Sequence, residues 1–170
     1  SAPCIARFDA DDICYPYRLE TQYRFLSNNP DYIVISCAAD YVDEGGNPVF
    51  TNYPPAYTDE AIRKVQLRTC PFIHSGVMYR KEAVLRQGGY DPHAHSFEDH
   101  MLWLRLSREG RFFNFSEPLI RVRLNPGSVT IDERWRPARF HRIKKKALRT
   151  GSIEHAESEA LLSILRLQNT

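Results

Sequence analysis

Three aspartates stand close together near the start of the chain, in the segment IARFDADDICYP (residues 5–16). Asp9, Asp11 and Asp12 follow a short apolar run that is typical of a buried strand. Because carboxylates repel one another, such crowding needs an explanation. Aspartates cap helix N-termini, and clustered carboxylate oxygens bind hard divalent cations. One aspartate is enough for a cap, so a cation site stays open beside that explanation.

A second acidic pair, Glu98 and Asp99, opens the predicted helix EDHMLWLRLSREG (residues 98–110). Acidic residues at this end of a helix complement its dipole, which is the structural explanation. A carboxylate fixed on a rigid helix can also act as a general base. Neighbouring helical side chains point about 100° apart, so the two carboxylates cannot both face one proton.

Short strands alternate with helices along the first part of the chain, which predicts an α/β fold. The helix after the acidic turn carries Leu19, Tyr23 and Leu26 in one apolar stripe. Residues 32–39 are predicted to form a buried strand, and RFFNF and PLIRVRL two strands joined by a turn at SEP. The remaining predicted elements are a strand at PVF, a helix at 58–68 capped by Thr58, extended segments broken near Ser75, a short helix at 81–87 and an irregular loop at 90–97.

The composition changes after Asn125, where the chain becomes basic and helical in pattern. We therefore predict a first domain over residues 1–130 and a helical extension over 131–170. Three interpretations of the basic segment RWRPARFHRIKKKALR remain open. It forms a solvated helix face packed on the last helix, lies on an anionic membrane surface, or binds nucleic acid. No aromatic stacking pattern supports the last.

The composition narrows the class of protein. The chain has 170 residues, 42% of them hydrophobic and 26% charged, with a formal net charge of +2. This balance is typical of a soluble globular protein and argues against nucleic-acid binding. No apolar run is long enough to cross a membrane. The four cysteines, Cys4, Cys14, Cys37 and Cys70, include no CxxC pair, which predicts reduced thiols and a cytoplasmic location.

Three segments occur in an order that resembles the family 2 glycosyltransferases with the GT-A fold. They are IARFDADDICYPYRLETQYRFL, CPFIHSGVMYRKEAVLRQGGYD and FEDHMLWLRLSREGRFFNFSEPLIRVRLNPGSVT. Together they cover about residues 4–130. The resemblance implies a partial GT-A sheet flanked by helices, and an inverting, metal-dependent transfer of a sugar from a nucleotide-diphosphate sugar to a hydroxyl acceptor.

The resemblance also implies roles for individual residues. Asp99 would be the catalytic base, and Glu98 would orient the acceptor. Asp11 and Asp9 would hold Mn²⁺ or Mg²⁺, which bridges the two phosphates of the donor and stabilises the departing diphosphate. Asp9 would also face the ribose of the donor.

Four further residues take supporting roles in this scheme. Asp12 would brace the turn, Arg7 would add charge near the phosphates, and His74 would contact the diphosphate or the acceptor. Relatives often carry a histidine at the position of Asn125, and asparagine is a weaker metal ligand. Structural roles for Arg7, as a salt bridge, and for His74, as a hydrogen-bonded core histidine, remain open.

The same resemblance suggests partners and a location. The donor is expected to be a nucleotide-sugar, a UDP-sugar above all, and the acceptor a glycan or a lipid-linked sugar in polysaccharide assembly. The protein would act in the cytoplasm, at the inner face of the membrane. No nucleic-acid partner is expected.

The family implies a nucleotide-binding βαβ region ahead of the acidic turn, and we find no such unit before Asp9. The chain therefore resembles the acceptor-side portion of the enzyme, expected to be inactive alone and to self-associate through its open sheet edge. Two alternatives remain: a non-catalytic binding or assembly module, and a metal-dependent nucleotidyltransferase.

Overall fold

A computed structural model describes residues 2–124 and 133–168 of the chain. Its strands are Cys4–Ala6 (β1), Ile13–Cys14 (β2), Tyr32–Val42 (β3), Pro48–Asn52 (β4), Met78–Arg80 (β5) and Arg111–Arg123 (β6). Its helices are Arg18–Asn28 (α1), Asp59–Val65 (α2), Lys81–Arg86 (α3), Glu98–Leu106 (α4), Ala138–Thr150 (α5) and His155–Gln168 (α6). Single 3₁₀ turns lie at His74–Gly76 and Glu133–Trp135.

The six strands form one mixed sheet in the order β1-β5-β3-β6-β2, and β4 pairs with the second half of β3. Strands β3 and β6 are parallel, whereas the other neighbours are antiparallel. The predicted α/β class is confirmed. Strands β1 and β2, which flank the acidic turn, lie at opposite edges of this sheet.

The central strand β3 is buried on both faces, because successive side chains of a strand point to opposite sides. Val34 belongs to the cluster that contains Leu102 and Trp103 of α4. Its neighbour Ile35 packs with Leu26 of α1 on the other face. Trp103 is fully buried. The sheet and these two helices form the rigid frame of the molecule.

Strand β6 is continuous, so the turn predicted at SEP is wrong. Ser36 of β3 pairs with Asn114, and two positions later Ala38 pairs with Pro118. The extra residues of β6 therefore form a bulge that shifts the register with β3, and the strand continues on both sides of it. A bulge has no strong sequence signal, and a proline within a strand suggests a turn.

The apolar stripe predicted for α1 is also wrong. Leu19 and Tyr23 are about half exposed, at 53% and 49%, while Arg18 and Gln22 are buried beside Leu26. The Arg18 guanidinium donates to the backbone oxygens of Arg7 (2.9 Å) and Val77 (3.3 Å). Buried backbone carbonyls need donors, so the polar side of α1 faces the protein.

The two C-terminal helices pack against α4 and the loop before it. Phe140 and Ile143 of α5 and Leu161 of α6 share a buried cluster with Phe97 and Met101. The predicted packing of the basic helix against the final helix is confirmed. The domain boundary predicted at residues 130/131 falls outside the described residues and stays a prediction.

Candidate active site

The acidic turn is a short backbone loop between β1 and β2. The amide of Asp12 donates to the carbonyl of Asp9 at 3.2 Å, which closes the turn. The Asp9 carboxylate forms an ion pair with Arg7. Asp11 is exposed, and its carbonyl accepts a hydrogen bond from Arg123 at 3.2 Å. The turn precedes α1 by several residues, and α1 has no side-chain cap, so helix capping does not explain these aspartates.

Asp12 points inward and supports the turn. Burial raises the pKa of its carboxyl above the ordinary value, against the lowering effects of the Arg123 amide and the Ser75 hydroxyl. Its Oδ1 accepts from the Arg123 amide at 3.2 Å. Its Oδ2 is buried and has no well-formed hydrogen bond within the described residues. The bracing role expected for Asp12 stays a prediction.

His74 lies beside the turn because α1 and β3 hold its segment in place. Gln22 donates to the carbonyl of Gly76 at 2.8 Å, and Ser36 donates to the carbonyl of Ile73 at 3.0 Å. A Cβ at Gly76 would stand 2.9 Å from the sulfur of Cys37, so only glycine fits this close approach. The 3₁₀ turn is thereby fixed against the sheet.

The His74 ring is half-buried and contacts Tyr90 and Trp103. Its Nε2 lies 3.0 Å from the Tyr90 hydroxyl. Burial lowers the pKa of His74, an effect opposed by the negative charges of Asp99, Glu98 and Asp9. The ring is therefore neutral at pH 7, within electrostatic reach of both acidic groups.

Asp99 is held by a contact that no sequence pattern predicts. The thiol of Cys70 donates to its Oδ2 at 3.6 Å, and the amide of His100 donates to its Oδ1 at 2.7 Å. Burial raises the pKa of the Cys70 thiol well above its ordinary value, and the negative charge of Asp99 raises it further. The thiol therefore stays protonated and remains a donor. The two residues lie far apart in sequence, so no spacing pattern indicated their contact.

Glu98 is partly exposed beside Asp99, and the loop at residues 90–97 leads into this end of α4. The ring nitrogens of His93 and His95 lie 3.4 Å and 3.2 Å from the Ser158 hydroxyl of α6. The loop is thus tied to the C-terminal helices. Like Cys70, Ser158 holds a segment of the candidate site in place and was not identified from the sequence.

The structure brings the two acidic groups into one region. The pKa of His74 responds to charges on both, and that of Tyr90, raised first by burial, responds to Asp99 and to Arg7. Such effects fade over short distances. His74 and Tyr90 are therefore within electrostatic range of both the acidic turn and the start of α4.

The described residues contain no group of three or more histidine, cysteine, aspartate or glutamate side chains that could hold a metal ion. Mg²⁺ is often held by only one or two carboxylates, with water and substrate phosphates as its other ligands. Asp11 is exposed, and Asp9 lies two positions earlier in the same turn, so the carboxylates present fit an ion of that kind. The predicted ligand Asn125 lies outside the described residues.

Solved structures with the same architecture place the fold among the GT-A glycosyltransferases. A structure of residues 1–349 of TarS from S. aureus aligns over 97% of this chain and 46% of that one, with a TM-score of 0.57 and 11% identity. A mannosyltransferase from Pyrobaculum calidifontis, in complex with GDP-Man and Mn²⁺, aligns over 99% of this chain and 46% of that one (TM-score 0.50, 17% identity).

Sequence comparison then gives the family. The family model "Glycosyl transferase family 2" matches residues 1–87, and this chain belongs to glycosyltransferase family 2. An amylovoran biosynthesis glycosyltransferase, AmsE, from Erwinia amylovora is 30% identical over 154 residues, which cover 88% of this chain and 57% of the relative. An O-antigen biosynthesis glycosyltransferase, WbnJ, from Escherichia coli is 34% identical over 130 residues, covering 74% and 49%.

The chain thus spans about half the length of the curated relatives that it matches. Among the described helices, none combines the length and the apolar composition that a membrane crossing requires. All four cysteines are free thiols.

Proposed function

We propose that this chain is the acceptor-side part of an inverting glycosyltransferase that transfers a sugar from a nucleotide-diphosphate sugar to a hydroxyl group. The observation that supports this most is that the charges of both Asp9 and Asp99 act on the pKa of one residue, His74, in a chain of family 2. A transfer with inversion needs a leaving diphosphate on one side of the sugar and a base on the other. In this proposal the acidic turn faces the leaving diphosphate, and Asp99 supplies the base.

Asp99 acts as the base in this proposal. Its carboxylate is oriented from two directions, by the Cys70 thiol and by the His100 amide. A carboxylate oxygen held in this way can accept the proton of the acceptor hydroxyl as that oxygen attacks the anomeric carbon. Glu98, one position earlier and pointing elsewhere, is available to orient other hydroxyl groups of the acceptor.

The donor diphosphate lies at the acidic turn in this proposal. Asp11 and Asp9 would hold a divalent cation, Mn²⁺ or Mg²⁺, which supplies charge stabilisation to the departing diphosphate. Arg7, now paired with Asp9, can turn toward a phosphate when a cation takes over that carboxylate. His74 and Tyr90 would close the space between donor and acceptor and exclude water.

The names of relatives support an acceptor in cell-surface glycan assembly. They include amylovoran and O-antigen biosynthesis enzymes, and an Escherichia coli enzyme named UDP-Gal:alpha-D-GlcNAc-diphosphoundecaprenol beta-1,3-galactosyltransferase, 27% identical over 161 residues. We propose a glycan or lipid-linked acceptor and a UDP-sugar donor, used at the cytoplasmic face of a membrane. We further propose that these 170 residues alone do not turn over a donor, since the relatives are about twice as long.

The experiment that tests this function compares Asp99→Asn with Glu98→Gln in the protein at its full natural length. Asparagine keeps the shape of the side chain but cannot accept the proton, so we expect kcat to fall by about 10²–10⁴-fold. The Kd for the donor nucleotide should not change, because Asp99 does not contact the donor in this proposal. Glu98→Gln is the matched control, with a smaller loss of kcat.

An unchanged kcat in Asp99→Asn would contradict the role of the base. The absence of any transfer activity in the wild-type protein, with donor binding retained, would instead support a non-catalytic assembly module. Release of diphosphate in place of a nucleoside diphosphate would indicate a nucleotidyltransferase, and family membership argues against that outcome.

A further inference from the structure

A cleft of about 1,060 Å³ lies between α5 and the segment that follows α2. Arg68 and Thr69 line one side, and His141, Lys145 and Arg149 of α5 line the other. The three α5 residues are spaced four apart, so they form one stripe along the helix. The opposite side of α5 is packed in the protein core.

The charge of this cleft is unbalanced among the described residues. Glu133 and Lys144 also line the cleft and pair with each other at 2.5 Å, and outside the cleft Lys146 pairs with Glu154 at 2.7 Å. Within residues 2–124 and 133–168, no carboxylate forms an ion pair with Lys145, Arg149 or Arg68. Cations gathered in a concave surface focus a positive potential and attract anions.

The cleft also adjoins the residues that support the proposed base. Thr69 lines the cleft, and the next residue, Cys70, donates to Asp99. Lys144 is buried on the α5 side, only 8% exposed, and its charge acts on both Cys70 and His100. An anion in the cleft would therefore lie near the residues that hold Asp99.

We propose that this cleft binds a phosphate-bearing anion through Arg68, Lys145 and Arg149. Arginine presents two parallel donors to a phosphate, and lysine adds a point charge. Two sources share this chemistry: the phosphate of a lipid-linked acceptor and the headgroup of an anionic membrane lipid. The proposal that the cleft binds phosphate does not depend on the proposed function. The identification of that phosphate with a lipid-linked acceptor does rest on the proposed function.

The test titrates the 170-residue protein with inorganic pyrophosphate and follows the backbone amides by NMR. We expect saturable shifts at Thr69, Lys145 and Leu148. The double variant Lys145→Ala/Arg149→Ala should bind at least about tenfold more weakly, as expected from the loss of two charge-assisted contacts. The control is Arg139→Ala/Arg142→Ala, which removes the same charge from exposed positions of the same helix outside the cleft.

A second arm uses vesicles of neutral phosphatidylcholine with or without added phosphatidylglycerol, in sedimentation. Loss of binding to the anionic vesicles in the cleft variant, but not in the control, would identify headgroups as the source. If vesicle binding is unchanged and the cleft variant shows a raised KM for a diphosphate-linked acceptor at unchanged kcat, the acceptor is the source of the phosphate. The proposal is overturned if pyrophosphate shifts no cleft amide in the wild-type protein, or if both double variants bind pyrophosphate equally; neither result depends on catalysis.

Discussion

The acidic turn and the start of α4 carry the two halves of the proposed chemistry, and they are built differently. In the turn, Asp9 is paired with a residue two positions away and Asp11 is exposed. On α4, the Asp99 carboxylate accepts a hydrogen bond from Cys70, which lies far away in sequence. Trp103 of the same helix is fully buried. The turn leaves a carboxylate free for a ligand, whereas the carboxylate of the proposed base is already oriented by the protein. The following variants test this contrast.

The largest effect on stability is expected at Arg18, which ties α1 to both sides of the turn region. Arg18→Met removes the donor to the Arg7 carbonyl and to the buried Gln22 Oε1. It also leaves the Val77 carbonyl with only the Arg7 amide, so we expect the free energy of unfolding to fall by about 2–3 kcal/mol. Urea denaturation measures this change. Arg24→Met on the exposed side of the same helix is the control, expected within about 0.5 kcal/mol of the wild type. Equal stabilities of the two variants would contradict the bridging role.

A smaller effect, on metal dependence, is expected at Asp11. Asp11→Asn weakens a hard oxygen ligand, so the Mn²⁺ concentration for half-maximal transfer should rise by about ten- to hundredfold. Asp12→Asn serves as the comparison within the same turn, because its amide oxygen can still accept from Arg123. If Asp12→Asn raised the metal requirement more than Asp11→Asn, the assignment of the ligand would be wrong.

The buried His100 should make stability depend on pH. Its Nε2 bonds to the carbonyl of Gln66 at 2.6 Å, and burial, followed by the charge of Lys144, lowers its pKa below the ordinary 6.5. As the pH falls below that value, the unfolded chain takes up a proton that the native protein resists, so stability is lost. One such proton contributes a slope of at most about 1.4 kcal/mol per pH unit.

Unfolding measured between pH 7 and pH 5 for His100→Gln should show a shallower loss of stability than the wild type. His155→Gln, at an exposed position, should retain the slope of the wild type. The interpretation fails if the His100→Gln protein keeps the full pH dependence. The difference in slope between the two variants isolates the contribution of His100.

The smallest effect is expected at Cys70, which we regard as a positioning residue. Cys70→Ala removes one donor to Asp99, so kcat should fall by about two- to tenfold with KM unchanged. Cys70→Ser keeps a hydrogen-bond donor and should restore most of the rate. Cys4→Ala, at the sheet edge, is the control for the loss of a thiol. A loss of kcat in Cys70→Ser as large as in Cys70→Ala would show that packing, not the hydrogen bond, matters.

Local patterns predicted much of the fold. Thr58 caps α2 as expected, with its hydroxyl 3.4 Å from the Ala61 amide, and the buried strand at Tyr32 is present. Errors arose where distant contacts outweighed local pattern. Arg18 and Gln22 are buried because carbonyls elsewhere need donors, and no helical periodicity can show this.

The site was predictable to a similar extent. The acidic residues were identified by their clustering and by resemblance to a family, because the chemistry of a carboxylate can be inferred from the residue type alone. The residues that orient them were not, since Cys70 and Ser158 act across long sequence separations. The basic stripe of α5 could have been found, because Lys145 and Arg149 stand at helical spacing.

The central claim is that the acidic turn and Asp99 border one space, with the donor diphosphate between them. The most direct measurement is a crystal structure of the protein at its full natural length with a nucleoside diphosphate and Mn²⁺, in which anomalous scattering locates the metal. We predict Mn²⁺ against the carboxylate of Asp11, and the β-phosphate open toward Asp99 past the ring of His74. A diphosphate bound elsewhere, or protein atoms that separate it from Asp99, would contradict the account.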